Sequence, residues 1–489
     1  MTYFPTFIRL LPWLAGIAAA EPTDLLRLSD GSLEGHFAGI DRGGMLHWSR
    51  DDAGRELEFR LDKVRHIALR GAQPSEITAD LSHVSLVNGD RLPGRIASLD
   101  DRRLELATDF AGTLEIPRSS IESLKPNPFG GRLIYAGPFD GDGWETIDPQ
   151  SDDPERYDDD EDGERAAKGP TWRRSGGYWY YTGGAEALRR QVGLPRKSVF
   201  RFHLDWKSRA PLSIGFFADF AVPPAAEDVP AEADQPPPRR PDLSTAAFGN
   251  SLVLTLRSSY VTLQRCGYDA ESGAFSRMVQ TTATTVRFEN HQSADFELRS
   301  DLDEGTVTLF VDGSYALQWN VADDLDGADL GSGIGFLVPG NPDAMRLSDI
   351  LIAEWNGMPD AARSLRHPER DLVLLTNGTD RFSGKITGIA GGQLSLAGSY
   401  ADLTVPLDQV AEVHFAPHEQ AEPASGADDP VKILFQPVGR ISGEITEADA
   451  TRAVVRSPLL GELQVGLAGA SLLEFKQEGQ FLSNWDDDL

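Results

Sequence analysis

The sequence predicts an all-β protein, a central two-sheet sandwich flanked by two pairs of small β-barrel repeats. Three observations carry that expectation. Helical periodicity is almost absent from the central segment, about 128 to 357, and short apolar alternations bounded by Gly, Asn and Asp recur along the 489 residues. One such unit occurs four times, two copies near each end of the chain. Between the second and third copies the composition changes to aromatic-rich strands.

The N-terminal MTYFPTFIRLLPWLAGIAAAEP has one positive charge at Arg9, an apolar run from Leu10 to Ala20, and small residues at Ala18 and Ala20. This reads as an export signal over residues 1–20. No later apolar stretch approaches the roughly 20 residues of a membrane span. Cys266 is the single cysteine, so an intrachain disulfide is excluded. Export without disulfides points to a secreted or periplasmic protein of a bacterial envelope.

The repeated unit is clearest in 86-LVNGDRLPGRIASL-99, where Asn88-Gly89 suits the left-handed angles of a hairpin turn. Related segments are 26-LRLSDGSLEGHFAGI-40, 373-VLLTNGTDRFSGKITGI-389 and the weaker 431-VKILFQPVGRISGEIT-446. Each places a Gly-x-apolar triplet after the turn, then alternating strands, then a closing apolar pair. About 45 residues with four or five short strands is the size of a small curled barrel. The repeats are expected over 21–71, 78–126, 369–417 and 431–476, with a linker at 418–430 and an acidic tail at 477–489. Units this small bury little alone, so neighbours in sequence are expected to pair, 24–70 with 82–126 and 371–417 with 431–476.

The central segment, 128–357, contains 177-GYWYYTGG-184, 199-VFRFHLDW-206, 213-SIGFFADF-220 and 252-LVLTLRSSYVTLQRC-266. A hairpin over 294–319 follows, then 333-GIGFLV-338 and 347-LSDILIAEW-355. These strand counts fit two packed sheets. Two acidic or Pro-rich insertions interrupt them, 151–169 and 222–242, and the second reads as a disordered loop.

The order of these pieces resembles the concanavalin A-like jelly roll of laminin G-like domains, legume-type lectins and many glucanases. The resemblance rests on the glycine-aromatic strand after Trp172, on 200-FRFHLDW-206, and on the couplet 295-DFELRSDLDEGTVTLFVDG-313 followed by 333-GIGFLV-338. It extends to bacterial domains similar to 3-keto-disaccharide hydrolases, and it implies carbohydrate binding or hydrolysis. The repeats resemble SH3-like or Sm-like barrels.

The formal charge of −30 disfavours nucleic acid and anionic lipid as partners. Asp158-x-Asp160-x-Asp162-Gly163 matches the first half of a calcium loop, making calcium the candidate cofactor. Arg165 and Gly169 break the rest of that pattern. The Glu-x-Asp-x-x-Glu pattern of retaining glucanases is absent, as are Gly-x-Ser-x-Gly and His-Glu-x-x-His. Sugars bind by stacking on aromatic rings and hydrogen-bonding to Arg, His and amide side chains. On 199–206 the alternation puts Arg201, His203 and Asp205 on the face opposite Phe200, Phe202 and Trp206. Trp179 and Tyr181 share one face of their strand, and Arg257 and Gln264 are candidates for the same groove. The expected function is therefore non-catalytic binding of a glycan or an envelope protein. A glycoside hydrolase or lyase of the 3-keto-disaccharide type and a structural assembly protein are the alternatives.

Overall fold

The computed structural model describes residues 23–475, apart from 72–80, 127–131, 139–142, 150–170, 222–240, 280–291, 341–344, 358–366, 421–430 and shorter breaks of one to three residues. The expected export signal, the Asp158–Asp162 loop and the acidic tail lie outside the described residues.

Repeat 1 is built from β1 (Asp24–Leu28), β2 (Gly31–Ile40), β3 (Met45–Ser49), β4 (Leu57–Arg60) and β5 (Val64–Ala68). Repeat 2 comprises β6 (Ser82–Leu86), β7 (Arg91–Leu99), β8 (Arg103–Thr108), β9 (Gly112–Pro117) and β10 (Ile121–Lys125). In each, the first strand lies between the second and the last, giving the antiparallel order last-first-second-third-fourth. The opening hairpin closes over four residues, Val87 to Asp90. Gly89 alone takes the left-handed angle there (φ 85°), and its N–H donates to Leu86 O at 2.9 Å. Asn88 instead braces the loop, its amide donating to Asp90 Oδ2 at 2.9 Å.

The glycine of the Gly-x-apolar triplet has one physical role in all four copies. A Cβ at Gly35, Gly94, Gly384 or Gly443 would lie 2.4, 2.6, 2.3 or 2.7 Å from a carbonyl oxygen of the third strand. No side chain fits there. A bulge follows at the same place in each second strand, after Phe37, Ile96, Ile386 and Ile445. The bulge bends the long strand so that its two halves serve different sides of the unit.

The central sandwich begins with β11 (Leu133–Gly137), β12 (Trp144–Ile147), β13 (Trp172–Ser175), β14 (Tyr178–Tyr181) and β15 (Ala187–Gln191). Then come β16 (Lys197–Trp206), β17 (Leu212–Ala218), α1 (Leu243–Phe248), β18 (Ser251–Arg257), β19 (Tyr260–Asp269) and β20 (Gly273–Met278). It finishes with β21 (Ser293–Asp301), β22 (Thr306–Val311), β23 (Ser314–Asn320), α2 (Ala322–Leu325), β24 (Gly333–Leu337) and β25 (Met345–Glu354). The first sheet runs β13-β14-β25-β16-β21-β22-β23, with β11 also on β25; the second runs β12-β15-β24-β17-β18-β19-β20. Phe200, Phe202, Leu204 and Trp206 from the first sheet meet Ile214, Phe216, Leu252, Leu254 and Phe336 from the second in one core. Helix α1 covers part of the second sheet's outer face. Its Asp242 cap accepts from Thr245 N, so the C-terminal end of the expected 222–242 insertion is ordered as a helix start. Phe248 lies over Gly215 and Gly335, where a Cβ would fall 2.5 and 2.6 Å from its ring.

Repeat 3 consists of β26 (Asp371–Leu375), β27 (Arg381–Ala390), β28 (Gln393–Gly398), β29 (Asp402–Pro406) and β30 (Val410–His414). Repeat 4 adds β31 (Val431–Phe435), β32 (Gly439–Asp449), β33 (Arg452–Ser457), β34 (Gly461–Gly466) and β35 (Ala470–Phe475).

The repeats do not pair with their sequence neighbours. Repeat 1 pairs with repeat 4 through β5 and β35, and repeat 2 pairs with repeat 3 through β10 and β30. Ile67 faces Leu473 in one pair and Leu124 faces Val413 in the other, the same position of the closing strand in all four copies. The pairing is nested, 1 with 4 around 2 with 3. Its cause is the sandwich itself: β11 and β25 are neighbours, and Glu354 N donates to Arg132 O at 2.9 Å. The chain thus enters and leaves the sandwich at one point, which brings repeats 2 and 3 together.

Buried aspartates bolt the units to each other. Asp371, 2 % exposed, accepts from Ile386 N and Ala416 N and from Arg118 Nη2 of repeat 2 at 3.0 Å. Asp90, 1 % exposed, accepts from Ser442 N and Oγ of repeat 4 at 3.0 and 2.7 Å. All four repeats share one hydrophobic core.

Candidate functional site

The alternation on β16 places Arg201, His203 and Asp205 on the outer face of the first sheet, as the sequence indicates. That face is not an open groove, because the repeats lie against it. Tyr178 and Tyr180 pack with Ala68 and Leu472 of repeats 1 and 4, and Leu351 and Ala353 pack with Leu81 next to repeat 2. Arg346 on β25 reaches Asp205 Oδ2 at 2.9 Å and Glu474 of repeat 4 at 3.5 Å, with its guanidinium 4.2 Å from the centre of the Tyr178 ring.

Antiparallel pairing of β16 with β21 sets each charge of this face opposite a complement. Arg201 is in register with Glu297 and His203 with Asp295. Arg201 Nε and Arg299 Nε both donate to Glu297 at 2.5 Å. His203 bridges two carboxylates, Nδ1 to Asp295 at 2.7 Å and Nε2 to Asp205 at 3.3 Å.

Burial alone would lower the pKa of His203, but its hydrogen bonds to Asp205 and Asp295 outweigh that and lift it to about 10. Burial would raise Glu297, yet Arg201 and Arg299 pull it down to about 2. Burial likewise opposes, and the Arg346 charge overcomes, to hold Asp205 well below the usual carboxylate range. An imidazolium that stays charged is a poor general base, and carboxylates that stay ionised are poor general acids. Arg346 links this cluster to Glu474 of repeat 4.

The other expected site residues fall elsewhere. Trp179 and Tyr181 are 8 % and 1 % exposed and face the sandwich core, packed with Trp144 and Trp172 respectively. They cannot serve as a sugar platform. Both faces of β14 are buried, one in the core and one against the repeats, so its four aromatics gave no sign of which side was outside. Arg257 and Gln264 lie on the second sheet and so do not join Arg201, His203 and Asp205. Asp158, Asp160 and Asp162 are outside the described residues. Among the described residues, no group of three or more His, Cys, Asp or Glu side chains is placed to hold a metal ion.

The second sheet offers the open surface. Val261 and Leu263 enter the core, so Tyr260, Thr262 and Gln264 project outward along β19. Tyr260 is 51 % exposed and in register with Arg257, which is also exposed; Gln264 is in register with Met278, 55 % exposed. The strip from Tyr260 to Gln264 spans about 13 Å at strand spacing. It joins an aromatic ring, an arginine, a hydroxyl and an amide. The sequence reading found Arg257 and Gln264 here but missed Tyr260. Its outward position was legible from the apolar alternation of Val261 and Leu263.

No family model and no curated protein matches the chain. Among solved structures it is similar to the carbohydrate-binding module CBM66 from Bacillus subtilis (10 % identity, 43 % of this chain and 95 % of that one, TM-score 0.25). It is also similar to a Bacillus subtilis protein of unknown function with a galectin-like fold (11 %, 46 % and 96 %, TM-score 0.25). A third is the exoplasmic/lumenal domain of VIP36 (9 %, 46 % and 90 %, TM-score 0.25). The reading of the site rests on its geometry.

Proposed function

We propose that this chain is an exported, non-catalytic carbohydrate-binding protein that presents the strip of Arg257, Tyr260, Thr262 and Gln264 to its ligand. The observation that carries this is the exposed Tyr260 ring beside Arg257 and an outward hydroxyl and amide, the groups that sugar C–H faces and hydroxyls require. The first sheet's face is occupied by the repeats, and its titratable groups are locked in ion pairs, which disfavours the hydrolase or lyase alternative. In this reading the four repeats are a platform that holds the sandwich with its second sheet outward, in the periplasm or outside the cell.

A glycan array with the full chain from residue 21, run with calcium and with chelator, tests it. Selective binding that falls in a Tyr260→Ala variant supports the proposal. Loss on chelation would show that a cation is required and make Asp158, Asp160 and Asp162 its candidate ligands. No selective binding in either buffer would overturn the carbohydrate reading in favour of an assembly role.

A further inference from the structure

Where repeats 2 and 4 meet the sandwich, two arginines stand in an arrangement that ordinarily costs stability. Arg91, the first residue of β7, is in direct register with Arg440 on β32, in the one bridge that joins those strands. Like charges directly opposite on paired strands repel. Both side chains are half-buried, which weakens screening by water. Among the described residues neither has a carboxylate within ion-pair distance. The Arg440 guanidinium donates to Gly89 O, a neutral group, and acts on the Asp90 and Asp295 carboxylates only from beyond ion-pair distance.

The surroundings add a third cation. Both arginines act on Asp295 of β21, which also binds His203 at 2.7 Å. The Asp295 side chain is 63 % exposed, so this corner is open to solvent. Asp205, the other carboxylate on His203, is satisfied by Arg346 at 2.9 Å. The corner therefore sets Arg91, Arg440 and the charged His203 against two carboxylates, Asp295 and the buried Asp90, in a chain whose formal charge is −30. It also lies at a junction of three folded units, the kind of place where ligand sites form.

We propose that this corner is an oxyanion site, in which a carboxylate, phosphate or sulfate group bridges Arg91 and Arg440. A bound anion would accept charge-assisted hydrogen bonds from both guanidinium groups and remove their mutual repulsion. It would also tie repeat 2 to repeat 4 beside the sandwich. The oxyanion can belong to a free inorganic ion or to an acidic sugar residue. The site is separate from the Tyr260 strip and does not depend on it.

The test is a titration of the full chain from residue 21 with sodium phosphate, sodium sulfate and sodium galacturonate, each against sodium chloride at equal ionic strength. Thermal unfolding and calorimetry give the readouts. The expected result is saturable binding of at least one oxyanion, with a rise in Tm that chloride does not reproduce. Arg91→Gln should weaken that binding about 10- to 100-fold, the loss of one charged hydrogen bond. Arg440→Lys, which keeps the charge and loses the fork, should weaken it less. The three anions separate the sources: a response to galacturonate alone would identify an acidic sugar, and a response to phosphate or sulfate a free ion. A Tm response equal to that of chloride, or oxyanion binding unchanged in Arg91→Gln, would overturn the site. Tyr260→Ala is expected to leave this binding intact.

Discussion

The two outer faces of the sandwich solve the same problem in opposite ways. Each sheet has one face in the core and must do something with the other. The first sheet has repeats 1 and 4 and the Leu81 segment beside repeat 2 packed on its outer face and neutralises the charges there pair by pair: Arg201 and Arg299 with Glu297, Arg346 with Asp205, and His203 with Asp205 and Asp295. The second covers part of its face with α1 and leaves Arg257, Tyr260, Thr262 and Gln264 outward. Polar side chains alternating along a strand are therefore no guide to a binding face. What lies over them decides, and here the richer cluster of charges is the closed one.

The comparison can be broken most severely at Arg346. Its side chain is 8 % exposed and compensates Asp205 and Glu474 together, which are also nearly buried. Arg346→Ala should cost about 3–5 kcal/mol, because it leaves buried carboxylates without their cation. Equilibrium urea unfolding measures this, and a cost under about 1 kcal/mol would show that the face is wetter than described.

The pH profile is the next largest effect. His203 has its pKa raised from 6.5 to about 10 on folding, so its contribution is complete below pH 6.5 and is lost as pH rises towards 10. Glu297 has its pKa lowered from 4.5 to about 2, so its contribution is complete above pH 4.5 and is lost as pH falls towards 2. These two groups alone leave stability flat between about pH 4.5 and 6.5. The buried His66 and His83, whose pKa values burial lowers, add a loss below about pH 6.5, so stability should peak near pH 6.5 and decline on both sides. In His203→Gln the alkaline decline between pH 6.5 and 10 should flatten while the acid decline remains. Urea midpoints across pH check both, and an unchanged alkaline limb would remove His203 from the joint.

Smaller still is the effect of closing a strand too tightly within one repeat. Gly94→Ala places a methyl group 2.6 Å from Ala107 O and should cost about 1–3 kcal/mol, without altering any property of the sandwich's second sheet. The smallest effect on stability belongs to the open face: Tyr260→Ala should change it by no more than about 0.5 kcal/mol. A larger loss would mean that Tyr260 is part of the packing and not free for a ligand.

Much of this architecture was legible because each repeat carries its own local signals. The turn at Asn88-Gly89, the glycine of the triplet and the closing apolar pair describe a short unit whose contacts are close in sequence. The nested pairing was not legible. It depends on β11 and β25 being neighbours, a contact across more than 200 residues that no local pattern encodes. The same limit applies to the site. The period-2 pattern of Arg201, His203 and Asp205 showed which way they point but not that repeats 1 and 4 supply Ala68, Leu472 and Glu474 to cover their neighbours. The charges of Asp295, Glu297 and Arg299 alternate in the same way, and pairing the two strands antiparallel would have revealed an ion-pair ladder. Trp179 and Tyr181 misled because β14 is aromatic on both faces.

The most direct test sets the two faces against each other in one assay. Wild type, Tyr260→Ala and His203→Gln are compared for glycan binding at pH 6, where all three should be folded. The account predicts that Tyr260→Ala loses binding and that His203→Gln retains it. Loss of binding in His203→Gln, with Tyr260→Ala unaffected, would contradict it and move the ligand to the face the repeats cover.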